Sequence, residues 1–182
     1  GLSKFYISVK YLKKKIIEYF GDGSRWNVEI QYIIEDEPLG TAGSLSLMPR
    51  ESQVPVLIIN GDVLSRVDLS RLFQFHKEEQ SSATLCVHEH KIQIPFGVIS
   101  SDKTRVRFIE EKPVITKNIN AGIYVLNHEV LKLLSKGSHC DMTQLLNLAL
   151  KRKLSIHAFP LYEYYRDIGQ TGSYIKQAKE GW

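Results

Sequence analysis

Four short segments carry residue types that could do chemistry. In Val56-Leu57-Ile58-Ile59-Asn60-Gly61-Asp62 an apolar run ends on an acid. A buried strand of that composition delivers Asp62 to its carboxyl end, where open α/β sheets place their ligands. A carboxylate there suits Mg²⁺, which takes one or two protein carboxylates together with substrate phosphate oxygens. A hairpin turn explains the same letters, since Asn-Gly is a favoured type I′ pair. Glu37-Pro38-Leu39-Gly40-Thr41-Ala42-Gly43 brackets a small polar residue with two glycines. A flat ring or a phosphate can approach such a backbone closely, and a helix beginning here offers free amide donors. A plain strand-to-helix turn would read alike. Glu110-Glu111-Lys112-Pro113 ends a strand with adjacent opposite charges. Lys112 can neutralise a phosphate as a point charge, or pair with Glu111 in an exposed turn. Tyr165-Arg166-Asp167-Ile168-Gly169 supplies a second carboxylate, or a capping segment.

Other chemistries fare worse. His88 and His90 share one face of a strand, but no third metal ligand follows at a suitable spacing. No Gly-x-Ser-x-Gly elbow is present, and no histidine pairs with Cys86 to make a nucleophile. Cys86 and Cys140 cannot form a disulfide framework for 182 residues, so both read as reduced core thiols of a cytoplasmic protein. The start at Gly1 lacks a signal peptide's charged and apolar regions. Apolar stretches such as 54–59 fall far short of the roughly 20 residues that cross a bilayer, so no membrane partner is expected. The net charge of +4 is spread over scattered basic residues, which excludes nucleic acid as a partner but suits a small phosphorylated substrate. At 43% hydrophobic the chain has enough apolar mass for a real core.

These candidates need elements to hold them. Residues 5–9 are β-branched and aromatic, predicting a strand; 11–20 put Leu12, Ile16, Tyr19 and Phe20 on one helix face, and Gly21-Asp22-Gly23 stops that helix. Val28, Ile30, Tyr32 and Ile34 alternate as a half-buried strand. Residues 41–48 predict a short helix, and 54–59 a strand buried on both faces of a parallel sheet. Asp68 caps a helix carrying Leu69, Leu72, Phe73 and His76. Strands follow at 83–87, at 96–99 and 106–109 as a hairpin, at 121–126 and at 154–158. Asn127 can cap a short helix, Asp141 with Gln144 forms a capping box, and 171–179 predict a terminal helix. The alternation in the first half and the consecutive strands in the second predict one α/β domain with a mixed, mainly parallel sheet.

Taken together and in this order, the segments resemble the sugar-phosphate nucleotidyltransferases (NDP-sugar pyrophosphorylases), nearest to the mannose-1-phosphate guanylyltransferase-like branch. The matching stretches are Leu39-Gly40-Thr41-Ala42-Gly43, Asn60-Gly61-Asp62, Pro95-Phe96-Gly97-Val98-Ile99, Glu110-Glu111-Lys112-Pro113, Asn120-Ala121-Gly122-Ile123-Tyr124 and Arg166-Asp167-Ile168-Gly169, with Phe20-Gly21-Asp22-Gly23-Ser24 upstream. The resemblance implies a Rossmann-like, three-layer nucleotidyltransferase fold. It also implies in-line attack of a sugar 1-phosphate on the α-phosphorus of an NTP, releasing pyrophosphate, with GTP and mannose 1-phosphate favoured. Asp62 and Asp167 would hold Mg²⁺ and, with Lys112, be the catalytic set. Leu39, Gly40, Thr41, Ala42, Gly43 and Gly61 would meet the nucleotide. Gly97, Glu111, Lys112, Asn120 and Gly122 would meet the sugar phosphate.

One departure shapes the expectation for activity. The family's opening G-x-G-T-R-L, followed by Pro-Lys-Pro, does not occur in this sequence. Residues 1–182 are therefore expected to be a partial, N-terminally truncated domain lacking the first βαβ unit and its NTP-phosphate loop, and inactive alone. The strands at 5–9 and 54–59 would then leave an unpaired apolar edge, predicting self-association into a homo-oligomer or marginal stability. The alternative reading is a non-catalytic nucleotide-sugar binding or regulatory domain. A glycosyltransferase fits less well, because Asn60-Gly61-Asp62 supplies one acid where a DxD-type pair is wanted.

Overall fold

The computed structural model describes residues 1–49 and 54–169. Among the described residues ten strands and five α-helices follow one another as β1 (Lys4–Val9), α1 (Lys13–Phe20), β2 (Glu29–Ile34), α2 (Gly40–Gly43), β3 (Val56–Ile59), β4 (Val63–Ser65), α3 (Leu69–Glu78), β5 (Ala83–Gln93), β6 (Val98–Asp102), β7 (Arg105–Glu110), β8 (Val114–Leu126), α4 (His128–Leu131), α5 (Met142–Lys151), β9 (Ile156–Leu161) and β10 (Tyr165–Asp167). The predicted helix at 171–179 lies outside the described residues.

The strand at the centre of the core is β8. Its side chains alternate between two faces, as a pleated strand requires. Tyr124 and Leu126 join Val130, Met142, Leu145 and Ala149 from α4 and α5. Ile123 and Val125 join Leu72 from α3 and Phe159 from β9. Helices therefore cover both faces of the sheet β3-β8-β5-β9, giving three layers. Asp68 starts α3 as predicted, its carboxylate accepting from the Ser70 and Arg71 amides at 2.9 and 3.1 Å.

Several expectations need correction. The sheet is mixed but not mainly parallel: β1–β2 and β5–β9 are parallel, whereas β3–β8, β5–β8, β4–β10 and β6–β7 are antiparallel. The strand at 54–59 is accordingly no buried parallel strand. Among the described residues β3 pairs only with β8, and Ile59 is 47% exposed. The β2 strand buries Ile33 at 8% and exposes Ile34 at 47%, opposite to the expected phase. No residue of α1 is fully buried; its Tyr19 and Phe20 gather with Trp26 instead. Asn127 occupies the cap position of α4 but spends its side chain elsewhere. Its amide donates to the Ser81 carbonyl (2.7 Å) and its carbonyl oxygen accepts from the His76 ring (3.0 Å), whose other nitrogen meets Thr84 Oγ1 (2.8 Å). This buried bridge ties α3 to β5 and to the end of β8. Among the described residues no helix is long and apolar enough to cross a membrane.

Candidate functional site

The site begins where β3 stops. The Asn60 amide donates to the Gly122 carbonyl (2.9 Å) and the Val63 amide to the Asn60 carbonyl (3.2 Å), which turns the chain into β4. That strand pairs with β10 rather than with β3, so Asn60-Gly61 is a turn but not a hairpin. In the β4–β10 ladder Asp167 stands opposite Val63. Beyond it, the Ile168 amide donates to the Asp62 backbone carbonyl (2.9 Å) and the Gly169 amide to Asp167 Oδ1 (2.8 Å). A Cβ on Gly169 would lie 2.5 Å from Asp62 Oδ2 and 3.2 Å from Asp167 Oδ1. Only a residue without a side chain lets these two distant carboxylates flank it. Both are exposed, and neither has an ion-pair partner among the described residues.

Two uncompensated acids side by side create a negative field, and Tyr165 registers it. Burial first, then the charges of Asp167 and Asp62, push its hydroxyl pKa up. The His88 ring packs on Tyr165 at 4.9 Å between centroids, and His88 Nδ1 is buried with no hydrogen-bond partner among the described residues. A divalent cation relieves such a field, and the donor set fits Mg²⁺: two carboxylates, with phosphate oxygens to complete the shell. No group of three metal-ligating side chains occurs among the described residues, so His88 and His90 do not form a metal pair with a third ligand.

A bulge completes this corner. Between the pairs Leu85–Tyr124 and Val87–Asn120, three residues of β8 stand opposite Cys86 alone. Gly122 lies within the bulge at φ +70°, and a Cβ there would meet Asn60 Nδ2 at 2.9 Å and Val63 Cγ2 at 3.0 Å. Asn120 Oδ1 accepts from the Gly122 amide (3.1 Å) while its Nδ2 donates to Tyr124 Oη (2.7 Å). Bulges of this kind re-aim side chains beside active sites. Asn120 and Gly122 thus belong with Asp62.

Gly97, Glu111 and Lys112 stand apart from it. A Cβ on Gly97 would meet Glu111 Oε2 at 3.1 Å, so those two are neighbours. Lys112, at φ +47°, sits 3.8 Å from Glu111 as an exposed ion pair. From Val114 to Asn120 is about 20 Å of extended strand. The five residues expected to meet the sugar phosphate therefore fall into two groups.

The segment 39–43 corrects one physical argument. Its amides at 39, 41, 42 and 43 are not free. Ala42 and Gly43 both donate to the Cys140 carbonyl (2.9 Å each), Thr41 to Asp141 Oδ1 (3.3 Å), and the Cys140 amide returns to the Leu39 carbonyl (2.8 Å). The glycines admit this loop: a Cβ on Gly40 would lie 2.7 Å from Asp141 Oδ1, and one on Gly43 2.6 Å from the Ser138 carbonyl. Leu39 and Ala42 are buried, whereas a Cβ on Gly61 would meet nothing. Sequence reasoning gave no role to Asn60, Gly169 or Tyr165, and weighed His88 only as half of a metal pair with His90. The first three stood inside the quoted motifs, and only their partners reveal what they do.

The family described as "Nucleotidyl transferase" matches residues 1–181. The mannose-1-phosphate guanyltransferase of Pichia angusta is 32% identical over 158 residues, which are 82% of this chain and 43% of that protein. The D-glycero-alpha-D-manno-heptose 1-phosphate guanylyltransferase of Aneurinibacillus thermoaerophilus is 32% identical over 184 residues, 99% of this chain and 79% of that protein. The crystal structure of HddC from Yersinia pseudotuberculosis complexed with GMP-PN superposes with a TM-score of 0.70 at 24% identity, over 96% of this chain and 77% of that one. The chain spans about half the length of the mannose-1-phosphate guanyltransferases it matches.

Proposed function

Because the chain belongs to the nucleotidyl transferase family, we propose that it works in nucleotidyl transfer from an NTP to a sugar 1-phosphate, with a guanine nucleotide and a manno-configured sugar as substrates. Three things support the substrate reading. Both named relatives are guanylyltransferases, their names give mannose 1-phosphate and a manno-heptose 1-phosphate as substrates, and the HddC structure holds GMP-PN. The observation that carries the reaction is the meeting of Asp62 and Asp167 at Gly169.

In the proposed reaction a phosphate oxygen of the sugar 1-phosphate attacks the α-phosphorus, the bond from the α-phosphorus to the bridging oxygen breaks, and pyrophosphate leaves. Asp62 and Asp167 would hold Mg²⁺, which neutralises phosphate charge and aligns the reacting oxygens when bound. This chain's own residues do the positioning. The Asn60–Gly122 backbone bond fixes where Asp62 emerges. Asn120, held by Gly122 and Tyr124, presents its side chain at the same corner for a sugar hydroxyl. Lys112 brings a point charge for the sugar phosphate, and the exposed ribbon that carries it must approach the corner for that contact. The segment 39–43 presents the nucleotide surface.

The test has two parts. Mn²⁺ added to the chain should broaden NMR signals of Asp62, Asp167 and Gly169 first, and Asp62→Asn should abolish that selectivity; broadening centred elsewhere would sink the metal assignment. Pyrophosphate release with each NTP against a panel of sugar 1-phosphates then defines the substrates. Tight nucleotide-sugar binding without any release by a protein that also carries the G-x-G-T-R-L segment would move the chain to a binding or regulatory role.

A further inference from the structure

The capping box that opens α5 does more than start a helix. Gln144 Oε1 accepts from the Asp141 amide at 2.8 Å, as the spacing of the two residues predicts. Asp141 also reaches across the fold. Its Oδ1 accepts from the Thr41 amide (3.3 Å), and Thr41 Oγ1 accepts from the Met142 amide (2.8 Å). Each helix start therefore supplies a side-chain cap to the other's amide. The Cys140 carbonyl adds two more bonds, to Ala42 and Gly43, and the Cys140 amide closes the ring on Leu39.

Four of the five residues from Leu39 to Gly43 are thus held through two residues, Cys140 and Asp141, about one hundred positions away. Position 40 must be glycine for this approach, at φ +75° and with Asp141 where its Cβ would be. Met142, directly after Asp141, is anchored in the core beside Tyr124 and Leu145. A loop of five residues has no such rigidity by itself, since short backbone segments lose about 1–2 kcal/mol of entropy per residue when ordered.

We propose that Asp141 is a positioning residue for the nucleotide: it presets the backbone of residues 39–43 so that nucleotide binding does not have to order it. The inference rests on the reading that 39–43 meets the nucleotide. Its chemistry is specific to the carboxylate oxygen that accepts from Thr41, whereas Gln144 serves α5 alone. The two halves of one capping box therefore have different consequences for ligand binding.

The experiment compares Asp141→Ala, Asp141→Asn and Gln144→Ala by GTP titration and by amide hydrogen exchange at Thr41, Ala42 and Gly43. Loss of a charge-assisted bond should weaken GTP binding about five- to tenfold in Asp141→Ala and speed exchange at all three amides. Gln144→Ala should lower the melting temperature comparably yet leave GTP affinity within about twofold of wild type, and Asp141→Asn, which keeps an acceptor oxygen, should recover most of the loss. Equal weakening by Gln144→Ala would overturn the proposal by showing a merely structural role. Unchanged exchange at 41–43 in Asp141→Ala would overturn the clamp itself. Faster exchange with unchanged GTP affinity, together with wild-type GTP shifts that avoid 39–43, would instead remove the nucleotide reading on which the proposal rests.

Discussion

Two regions carry the candidate chemistry, and they are built in opposite ways. At the corner around Asp62, backbone bonds and glycine contacts fix everything: Asn60 on Gly122, Ile168 on Asp62, Gly169 against both carboxylates. On the ribbon formed by β6 and β7, every residue of β7 is exposed, and Lys112 just beyond it pairs among the described residues only with a solvated Glu111. The corner is prearranged for charge, which is what a metal site between two acids requires. The ribbon offers an exposed cation. In the proposed reaction Lys112 would reach a phosphate at the corner only if the strands that carry it bend toward Asp62, a movement that the exposed Glu111–Lys112 pair does not oppose. The fixed corner would hold the metal in that reaction, and the exposed ribbon would serve the sugar phosphate.

The largest effect should come from the corner's charge. Asp62→Asn should cut turnover by two orders of magnitude or more in catalytically competent protein, with the melting temperature unchanged or slightly raised as like-charge repulsion with Asp167 is relieved. Pyrophosphate release and circular dichroism measure the two quantities. Near-normal turnover would break the comparison at its root, by showing that the prearranged acids are not used.

Next in size is Lys112→Ala on the ribbon. It should raise the KM for the sugar phosphate about 10- to 150-fold, the worth of a charged contact of roughly 1.5–3 kcal/mol, and leave the nucleotide's KM and the melting temperature alone. An exposed Glu111–Lys112 pair with no substrate role predicts changes below about 1 kcal/mol. Equal movement of both KM values would mean that the ribbon does not serve the sugar side.

Gly122→Ala and Gly61→Ala sharpen the corner from within. Gly122 sits at φ +70° with Asn60 and Val63 pressed against it, so a methyl there costs about 1–2 kcal/mol in conformation alone, and more if Asn60 must move. A fall of about 4 °C or more in melting temperature is expected. Gly61 has open space and no positive φ, so its alanine variant should melt within about 2 °C of wild type. If the two variants melted alike, the bulge would not be what holds Asp62.

These contrasts also explain what the sequence made legible. Asn120-Ala121-Gly122 and Asp167-Ile168-Gly169 were visible because their glycines record tight approaches in the local letters, whereas Gly61 in Asn60-Gly61-Asp62 marks a turn with open space around it. The buried run 121–126 was visible as a strand because it is short and carries Ile123, Tyr124 and Val125, β-branched and aromatic residues in a row. What the letters do not carry is the identity of a distant partner. The run at 54–59 has the composition of a parallel core strand, yet pairs antiparallel with β8, since pairing is decided by the neighbour. The glycines at 40 and 43 did announce a close approach, but the visitor is the chain's own residues 138–141. Asn127 looked like a cap and became the partner of His76, a contact across 51 positions that no local pattern encodes.

The smallest predicted effect is the one that most directly separates the regions. Ile99 and Ile109 face each other across the β6–β7 pair, and they are 59% and 66% exposed. A core strand would lose several kcal/mol on truncation at such positions, as Ile→Ala changes in cores cost about 2–5. Here most of the side chain already meets water, so little apolar area is lost. Replacing both by threonine keeps the β-branching that suits a strand and removes the exposed apolar pair. The double variant should lower stability by no more than about 0.5 kcal/mol per position, read as a melting shift of about 2–4 °C in total. Nucleotide affinity at 39–43 and Mn²⁺ binding at Asp62 should stay at wild-type values. A loss of several kcal/mol would show that these isoleucines are packed in solution against a surface that covers them, and the ribbon would then be a fixed wall of the site rather than its adaptable half.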